Sequence, residues 1–255
     1  MKIIRFSVEG RNDPLWGVIE GDRVHVTGTP GGDRTGGSFP VALVRLLAPA
    51  LPTKIVCVGR NYHGHIREMG NDSLPLPKEP GLFLKSPNTL AAPFSEIPYP
   101  HFTNELHYEG ELVIVIGGMA RQVSPGEAEN YILGYSCGID VSARIWQKND
   151  LQWWRAKGCD TFAPAGPVVA ANFDWRNGGI ETRVNGGVVQ SGRFSEFLFD
   201  PPMIVSYASR YLTLMPGDLI YTGTPGGTGA LHPGDRVEVE IPGIGTLCSS
   251  VAAGA

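Results

Sequence analysis

The 255-residue sequence predicts a β-rich α+β fold in which a small β-rich N-terminal domain precedes a larger one. Three observations point there. Gly and Pro number 34 and 21, together roughly a fifth of the chain against an average of about 12%. They are spread between short apolar runs, as tight turns between strands would be. The few stretches of helical character do not alternate regularly with the strands, which argues against a parallel α/β fold. With 42% hydrophobic residues, the chain can bury a sizeable core.

Ile3 to Val8 and Trp16 to Glu20 read as strands, and Gly21-Asp22 as the tight turn before Val24 to Val26. Gly31 to Gly37 reads as a loop, and Pro40 to Leu47 as a short helix. A boundary near residue 50 divides domain 1–50 from domain 51–255. Lys54 to Gly59 is a short buried strand, and Asn61 to Met69 one or two helical turns stopped by Gly70. Residues 71–100 are rich in loops and proline, interrupted by the apolar Leu82-Phe83-Leu84. Glu111 to Ile116 is apolar on both faces and is therefore a central strand. Ser124 to Tyr131 resembles a capped helix, with Pro125 at its first position and Glu127 completing a capping box. Tyr135 to Ile139 is a strand, and Ser142 to Trp154 a second helix. Asn185-Gly186 is a hairpin signal between Thr182–Val184 and Val188-Val189. A short helix from Met203 to Tyr211 and strands at Asp218–Tyr221 and Arg236–Ile241 complete the pattern.

The charge balance, 21 Lys+Arg against 25 Asp+Glu, offers no basic stripe, so neither nucleic acid nor an anionic membrane is expected as a partner. Glu9 comes too early for a signal-peptide apolar region. No apolar run approaches the ~20 residues of a membrane helix. Cys57, Cys137, Cys159 and Cys248 form no C-x-x-C pair, the pattern of reduced thiols in a cytoplasmic protein.

The most informative stretch is His107-Tyr108-Glu109-Gly110-Glu111-Leu112. Side chains at i and i+2 of a strand share a face, so Glu109 and Glu111 point the same way. Two adjacent carboxylates at the mouth of a buried strand repel each other and are costly to desolvate, and a bound cation relieves both. Asp140, after Tyr135–Ile139, offers a third oxygen. All-oxygen ligation favours Mg²⁺, Mn²⁺ or Ca²⁺ over Zn²⁺. The same spacing also suits two carboxylates lying in solvent while Asp140 caps a helix. His65 and Glu68, at i and i+3, are neighbours on a helical face. They suit a general base acting on water, and equally an ordinary surface pair.

Two other patterns carry less. Gly134-Tyr135-Ser136-Cys137-Gly138 matches G-x-S-x-G, but that elbow needs a helix directly after the serine. Thr222-Gly223-Thr224-Pro225-Gly226-Gly227-Thr228-Gly229 lacks the G-K-[ST] ending of a nucleotide loop. It reads as a plain turn or as a cradle of N–H groups for a substrate carboxylate.

These segments together resemble the fumarylacetoacetate hydrolase family. The resemblance runs in order from Val58-Gly59-Arg60-Asn61-Tyr62-His63-Gly64-His65 through Leu82–Lys85 and His107–Leu112. It continues through Asp140–Arg144, Gln147, Trp154–Gly158 and Asp160–Phe162 to Pro216–Asp218 and Thr222–Pro225. It covers roughly residues 54–250, and residues 1–50 resemble the small N-terminal domain of many bacterial members. The resemblance implies a mixed β-sandwich roll and a homodimer. It implies Glu109, Glu111 and Asp140 as ligands of Mg²⁺ (or Mn²⁺), and His65 and Glu68 as a water-activating dyad. Lys157 falls on a lysine that neutralises a developing oxyanion, and Arg144, Gln147 and Thr224 on substrate contacts. Ile145, where many relatives carry Asp, and the loop Pro225-Gly226-Gly227-Thr228 depart from the family pattern and bear on the choice of substrate.

The expected activity is metal-dependent hydrolysis of a C–C bond in a small β-diketo or 2-oxo acid, such as an acylpyruvate or a fumarylacetoacetate-like acid, through an enolate. Decarboxylation of an oxaloacetate-type acid or isomerisation of a 2-hydroxy-diene-dioate uses the same enolate. The alternative of another class is an oxo-acid-binding protein without turnover.

Overall fold

The structure is a computed structural model, and it describes residues 1–68, 70, 75–101 and 105–252. The N-terminal part is built from β1 (Lys2–Val8), β2 (Leu15–Glu20), β3 (Arg23–Thr27), β4 (Arg34–Pro40) and β5 (Val44–Leu46). β1 to β4 form an antiparallel meander, and β5 folds back onto β1. Two expectations are corrected here. The Gly-rich stretch is a loop only as far as Asp33, because β3 offers Arg34–Pro40 a free backbone edge that needs no particular side chains. Pro40 to Leu47 holds only a 3₁₀ turn at Val41–Leu43 before β5, where Val44 pairs with Val8. A helix this short has little stability of its own, and pairing with β1 outweighs it.

The chain continues with β6 (Ile55–Gly59), α1 (His63–Glu68), β7 (Gly81–Lys85), β8 (Leu90–Ala91), β9 (Glu96–Ile97), β10 (Leu106–Tyr108) and β11 (Gly110–Ile116). Next come β12 (Ile132–Ile139), β13 (Ser142–Ala143), α2 (Arg144–Asn149), α3 (Trp154–Gly158) and β14 (Ala163–Ala170). The last elements are β15 (Gly179–Val184), β16 (Gly187–Arg193), α4 (Pro201–Tyr211), β17 (Leu219–Tyr221), β18 (Gly229–Leu231), β19 (Arg236–Ile241) and β20 (Gly245–Val251).

A twelve-stranded sheet runs β4-β3-β2-β1-β14-β12-β11-β17-β6-β7, with β5 and β8 attached at its side. A five-stranded sheet, β16-β15-β19-β20-β9, faces it, and β13-β10-β18 form a small third sheet. The fold is thus β-rich, as the sequence predicts, with four short α-helices among the described residues. β11 is the central strand, buried at every position and antiparallel to both neighbours. Its alternation divides the core: Leu112, Ile114 and Ile116 join one cluster with Val239 and Leu247 of the facing sheet. Val113 and Val115 join another with Ile3, Val18, Ile55 and Tyr221. The N-terminal strands are therefore part of the same sheet, joined through the pairing of β1 with β14.

The hairpin at Asn185-Gly186 has both residues in the left-handed region, φ 50° and 83°, as an Asn-Gly turn requires. Two predicted helices are corrected. Ser124 and Glu127 do form the expected side-chain pair, Ser124 Oγ donating to Glu127 Oε2 at 2.6 Å. Only a 3₁₀ turn, Ala128–Tyr131, follows, because Gly126 weakens the first turn and Ile132 already enters β12. Ser142 to Trp154 is not one helix either. Ser142 and Ala143 pair with β10, and α2 and α3 are separated at Asp150–Trp153, where Trp153 takes φ 56°. The Met69 end of the predicted first helix lies outside the described residues. Among the described residues no helix is long and apolar enough to cross a membrane.

Gly138 of β12 opposes Glu111. A Cβ there would lie 2.4 Å from Val113 Cγ2 and 2.5 Å from Tyr221 Cε1. Gly138→Ala is expected to destabilise the chain by roughly 1–3 kcal/mol through overpacking. Urea unfolding measures this, and an unchanged midpoint would contradict the packing described.

Candidate active site

Glu109 immediately precedes β11 and Glu111 is its second residue, so the strand's alternation sends both carboxylates to one side. β12 is in register with β11, Gly110 opposite Ile139, which carries Asp140 to the same end of the sheet. The Asp140 N–H donates to the Glu109 carbonyl at 2.8 Å and locks that junction. All three side chains are buried, and they offer carboxylate oxygens within 4.8 Å of one another.

Three buried cations surround them. Lys157 of α3 places its Nζ 2.9 Å from Glu109 Oε2, 2.7 Å from Asp140 Oδ2 and 2.5 Å from Ser142 Oγ. Lys85, the last residue of β7, sits 2.6 Å from Asp140 Oδ1 and donates to the Phe162 carbonyl at 2.6 Å. Arg144 of α2 lies 2.6 Å from Glu109 Oε1 and donates to Gln147 Oε1 at 2.8 Å. Among the described residues Glu111 has no cation in direct contact; its Oε2 accepts the Gly223 N–H at 2.7 Å.

This asymmetry separates the two glutamates. Burial alone would push the Glu109 carboxyl up, but Lys157, Arg144 and His65 outweigh it and hold the group well below the usual carboxylate range. Glu111 goes the other way: burial raises it well above that range, and Asp140 and Glu109 add to the effect. Lys157 is kept protonated, since Asp140 and Glu109 outweigh its burial. A buried glutamate with two carboxylates beside it and no ammonium or guanidinium against it is the environment a cation would relieve. The donor set is hard oxygen throughout, so the residues fit Mg²⁺ or Mn²⁺.

A cavity of about 420 Å³ opens over this cluster, lined by His65, Glu109, Glu111, Arg144, Gln147, Lys157 and Thr224, with Phe83 and Trp153 as its aromatic wall. Asp140 lies beneath it, against Lys157. Thus the structure brings the nine residues singled out from the sequence into or immediately behind one cavity. His65 is buried, and its Nδ1 lies 3.5 Å from Glu68 Oε2. The same Glu68 oxygen accepts the N–H groups of Gly227 at 3.1 Å and Thr228 at 3.4 Å. The Gly-rich loop is therefore a cradle for carboxylates, but those of the protein itself, Glu111 and Glu68. Thr224 lines the cavity with its hydroxyl engaged in the wall, donating to the Gly110 carbonyl at 2.9 Å.

Ser136 is fully buried on β12 with no helix directly after it, so the G-x-S-x-G string is not a nucleophile elbow. Lys85, Ser142 and Gln190 touch the cluster or its supporting strand and were not singled out by sequence. For Lys85 a signal existed, a lysine closing an otherwise apolar strand. Nothing local marks Gln190, which arrives from a distant hairpin.

Comparison with known proteins identifies the family. Residues 54–252 match the family model for the fumarylacetoacetate (FAA) hydrolase C-terminal domain, and residues 1–49 that for the Rv2993c-like N-terminal domain. The human mitochondrial oxaloacetate tautomerase FAHD2A is 37% identical over 226 residues, 84% of this chain and 71% of that protein. The crystal structure of 2-hydroxyhepta-2,4-diene-1,7-dioate isomerase from Mycobacterium marinum superposes with a TM-score of 0.90 at 41% identity, covering 99% of this chain and 98% of that one. Maleylpyruvate hydrolase from Sphingobium sp. SYK-6, in complex with manganese(II) ion and pyruvate, superposes at 0.81 with 28% identity and full coverage of both chains. The chain belongs to the fumarylacetoacetate hydrolase family.

Proposed function

We propose that this chain is a divalent-cation-dependent enzyme that hydrolyses a C–C bond in a small β-diketo or 2-oxo acid, of the acylpyruvate or fumarylacetoacetate-like kind. The observation that carries the reading is the buried Glu109–Glu111–Asp140 cluster at the base of a cavity that is also lined by Lys157 and by His65, the partner of Glu68. Mg²⁺ or Mn²⁺ held by the three carboxylates would supply Lewis acidity towards a chelating carboxylate and 2-oxo group. The manganese and pyruvate bound to the Sphingobium relative support this choice of ion and ligand class.

The protein's own groups supply the rest. His65 turns Nδ1 towards Glu68, so Nε2 is the nitrogen free to accept a proton from water. Glu68 is itself fixed by two backbone N–H groups, and thus orients the imidazole rather than competing for the proton. Water attacks the distal carbonyl, the C–C bond breaks, and its electron pair passes to the 2-oxo group as an enolate. The proton taken by His65 is then available to the enolate carbon, which completes a balanced hydrolysis. Lys157, held protonated by Asp140 and Glu109, brings permanent positive charge beside the developing oxyanion. Gln147 and Arg144, tied to each other on α2, face the cavity as contacts for the substrate.

The second reading is tautomerisation or isomerisation of a 2-oxo dicarboxylate, or decarboxylation of an oxaloacetate-type acid. The activities named for the human and M. marinum relatives favour the first two. These reactions use the enolate without an attacking water. Steady-state assays on acylpyruvates, fumarylacetoacetate-like acids, oxaloacetate and 2-hydroxy-diene-dioates with Mg²⁺ or Mn²⁺ distinguish the readings. Turnover that survives exhaustive EDTA treatment would defeat the metal-dependent mechanism.

For a hydrolase, His65→Ala is expected to lower kcat on acylpyruvates by about 10²–10⁴-fold, the usual contribution of a positioned general base. Full retention of hydrolysis would remove His65 from that role.

The raised Glu111 carboxyl has a signed consequence for cation binding. Chelator-treated protein holds a proton on Glu111 at pH values between the ordinary carboxylate range and the raised one, and a cation must displace it. Mn²⁺ affinity is therefore expected to rise with pH across this window, with proton release visible by calorimetry in buffers of different ionisation enthalpy. Affinity independent of pH there would contradict the assignment of Glu111 as a ligand.

A further inference from the structure

Gly110 separates the two cluster glutamates on β11, and both of its backbone polar groups are held by side chains from elsewhere. Its N–H donates to Gln190 Oε1 at 2.9 Å. Gln190 Nε2 donates to Thr224 Oγ1 at 2.8 Å and to the Pro225 carbonyl at 2.9 Å. Thr224 Oγ1 donates in turn to the Gly110 carbonyl at 2.9 Å. The three groups close a ring in which each donates to the next. Its direction is fixed, because a flipped amide would turn Nε2 onto the Gly110 N–H and Oε1 onto the Pro225 carbonyl. Gln190 and Thr224 are both almost completely buried.

The ring stands where a strand would otherwise stand. β17 pairs with β11 only as far as Val113 opposite Tyr221. Beyond that point the loop continues the ladder piecemeal: Thr222 N–H reaches the Leu112 carbonyl at 3.1 Å, and Gly223 N–H the Glu111 carboxylate. Gly110 is the last position, and a buried peptide there needs partners for both its N–H and its C=O. The residue must also be glycine, since a Cβ would fall 2.0 Å from Thr182 Oγ1 of the facing sheet.

From this we infer that Gln190 is a positioning residue for the cation site. It fixes the peptide on which Glu109 and Glu111 are mounted, and the loop whose Gly223 N–H holds Glu111. It acts through Gly110 and Thr224 and touches neither ion nor substrate. The inference rests on reading Glu109, Glu111 and Asp140 as cation ligands.

The test is Mn²⁺ affinity of chelator-treated protein, measured by calorimetry or electron paramagnetic resonance alongside unfolding midpoints. Gln190→Met and Thr224→Val, both close in size to the native residues, are expected to weaken Mn²⁺ binding about 10–100-fold, as loss of an outer-sphere partner does. Thr224→Ser keeps the hydroxyl and is expected to bind as the wild type does. The double variant Gln190→Met/Thr224→Val should bind about as weakly as the weaker single one, because either change opens the same ring. Wild-type Mn²⁺ affinity in Gln190→Met and Thr224→Val overturns the inference, as does full additivity in the double variant. If Gln190→Met fails to fold, the comparison of Thr224→Val with Thr224→Ser decides. Amide hydrogen exchange at Gly110 reports the ring without any metal and should accelerate in both disrupting variants; unchanged exchange also overturns the inference. Absence of Mn²⁺ binding by the wild-type chain, together with that acceleration in the variants, would defeat the cation reading while leaving the ring established.

Discussion

The site depends on one electrostatic constraint, the burial of three carboxylates at the end of a strand that has no solvent on either face. Isolated buried carboxylates are strongly disfavoured, and they persist only where cations and hydrogen-bond donors surround them. Lys85, Arg144 and Lys157 meet that requirement, each arriving from a different element: β7, α2 and α3. The two short helices and the left-handed turn at Trp153 are the local geometry that turns Arg144 and Lys157 inward from one stretch of chain. A continuous helix over Ser142–Trp154 would have left Ser142 unpaired with β10 and placed Lys157 elsewhere.

This explains what sequence could and could not reveal. Glu109, Gly110 and Glu111 were legible because a strand's two-residue period is a local property, and the apolar run that follows marks the strand as central. β6 and the Asn185-Gly186 hairpin were legible from equally local signals, a short apolar run ended by glycine and an Asn-Gly turn, whereas of β7 only the apolar Leu82-Phe83-Leu84 stood out. Two of the elements misread were decided by pairing with another strand rather than by their own residues. β4 and β5 form because β3 and β1 present free edges, not because Arg34–Pro40 or Val44–Leu46 favour extension. Gln190 reaches Gly110 across 80 residues of chain, and such a contact leaves no mark on the spacing of its neighbours. The roles of Lys157, Arg144 and Gln147 came from family resemblance, since nothing in their local pattern distinguishes them from surface residues.

The loop from Thr222 to Thr228 links the two halves of the site. Its Gly223 N–H holds Glu111, and its Gly227 and Thr228 N–H groups hold Glu68. One turn therefore contacts both the carboxylate cluster and the partner of the His65 imidazole. Tyr108, one residue before Glu109, donates to the Gly227 carbonyl at 3.0 Å and ties the same turn back to the start of β11. A shift of this loop would move the carboxylate cluster and the His65–Glu68 pair together. Departures from the family pattern at Gly226 to Thr228 consequently bear on alignment within the site as well as on the shape of its wall.

The charge count suggests why one site of this kind suits several reactions. Three carboxylates against Lys85, Arg144 and Lys157 leave no formal excess, with Glu111 the least well compensated of the three acids. A divalent cation placed there adds two positive charges in a cavity walled by Phe83 and Trp153. Two negative charges from the ligand balance it, and a carboxylate together with an adjacent enolate oxygen supplies both. A neutral ketone or a lone carboxylate does not. The site is then complementary to the enolate more than to the oxo acid from which it forms, and stronger binding of the charged intermediate is what lowers a barrier. Hydrolysis, tautomerisation and decarboxylation all pass through that charge distribution. Under the proposed function, the choice among them falls to what lines the cavity around the enolate: His65, Gln147 and Arg144.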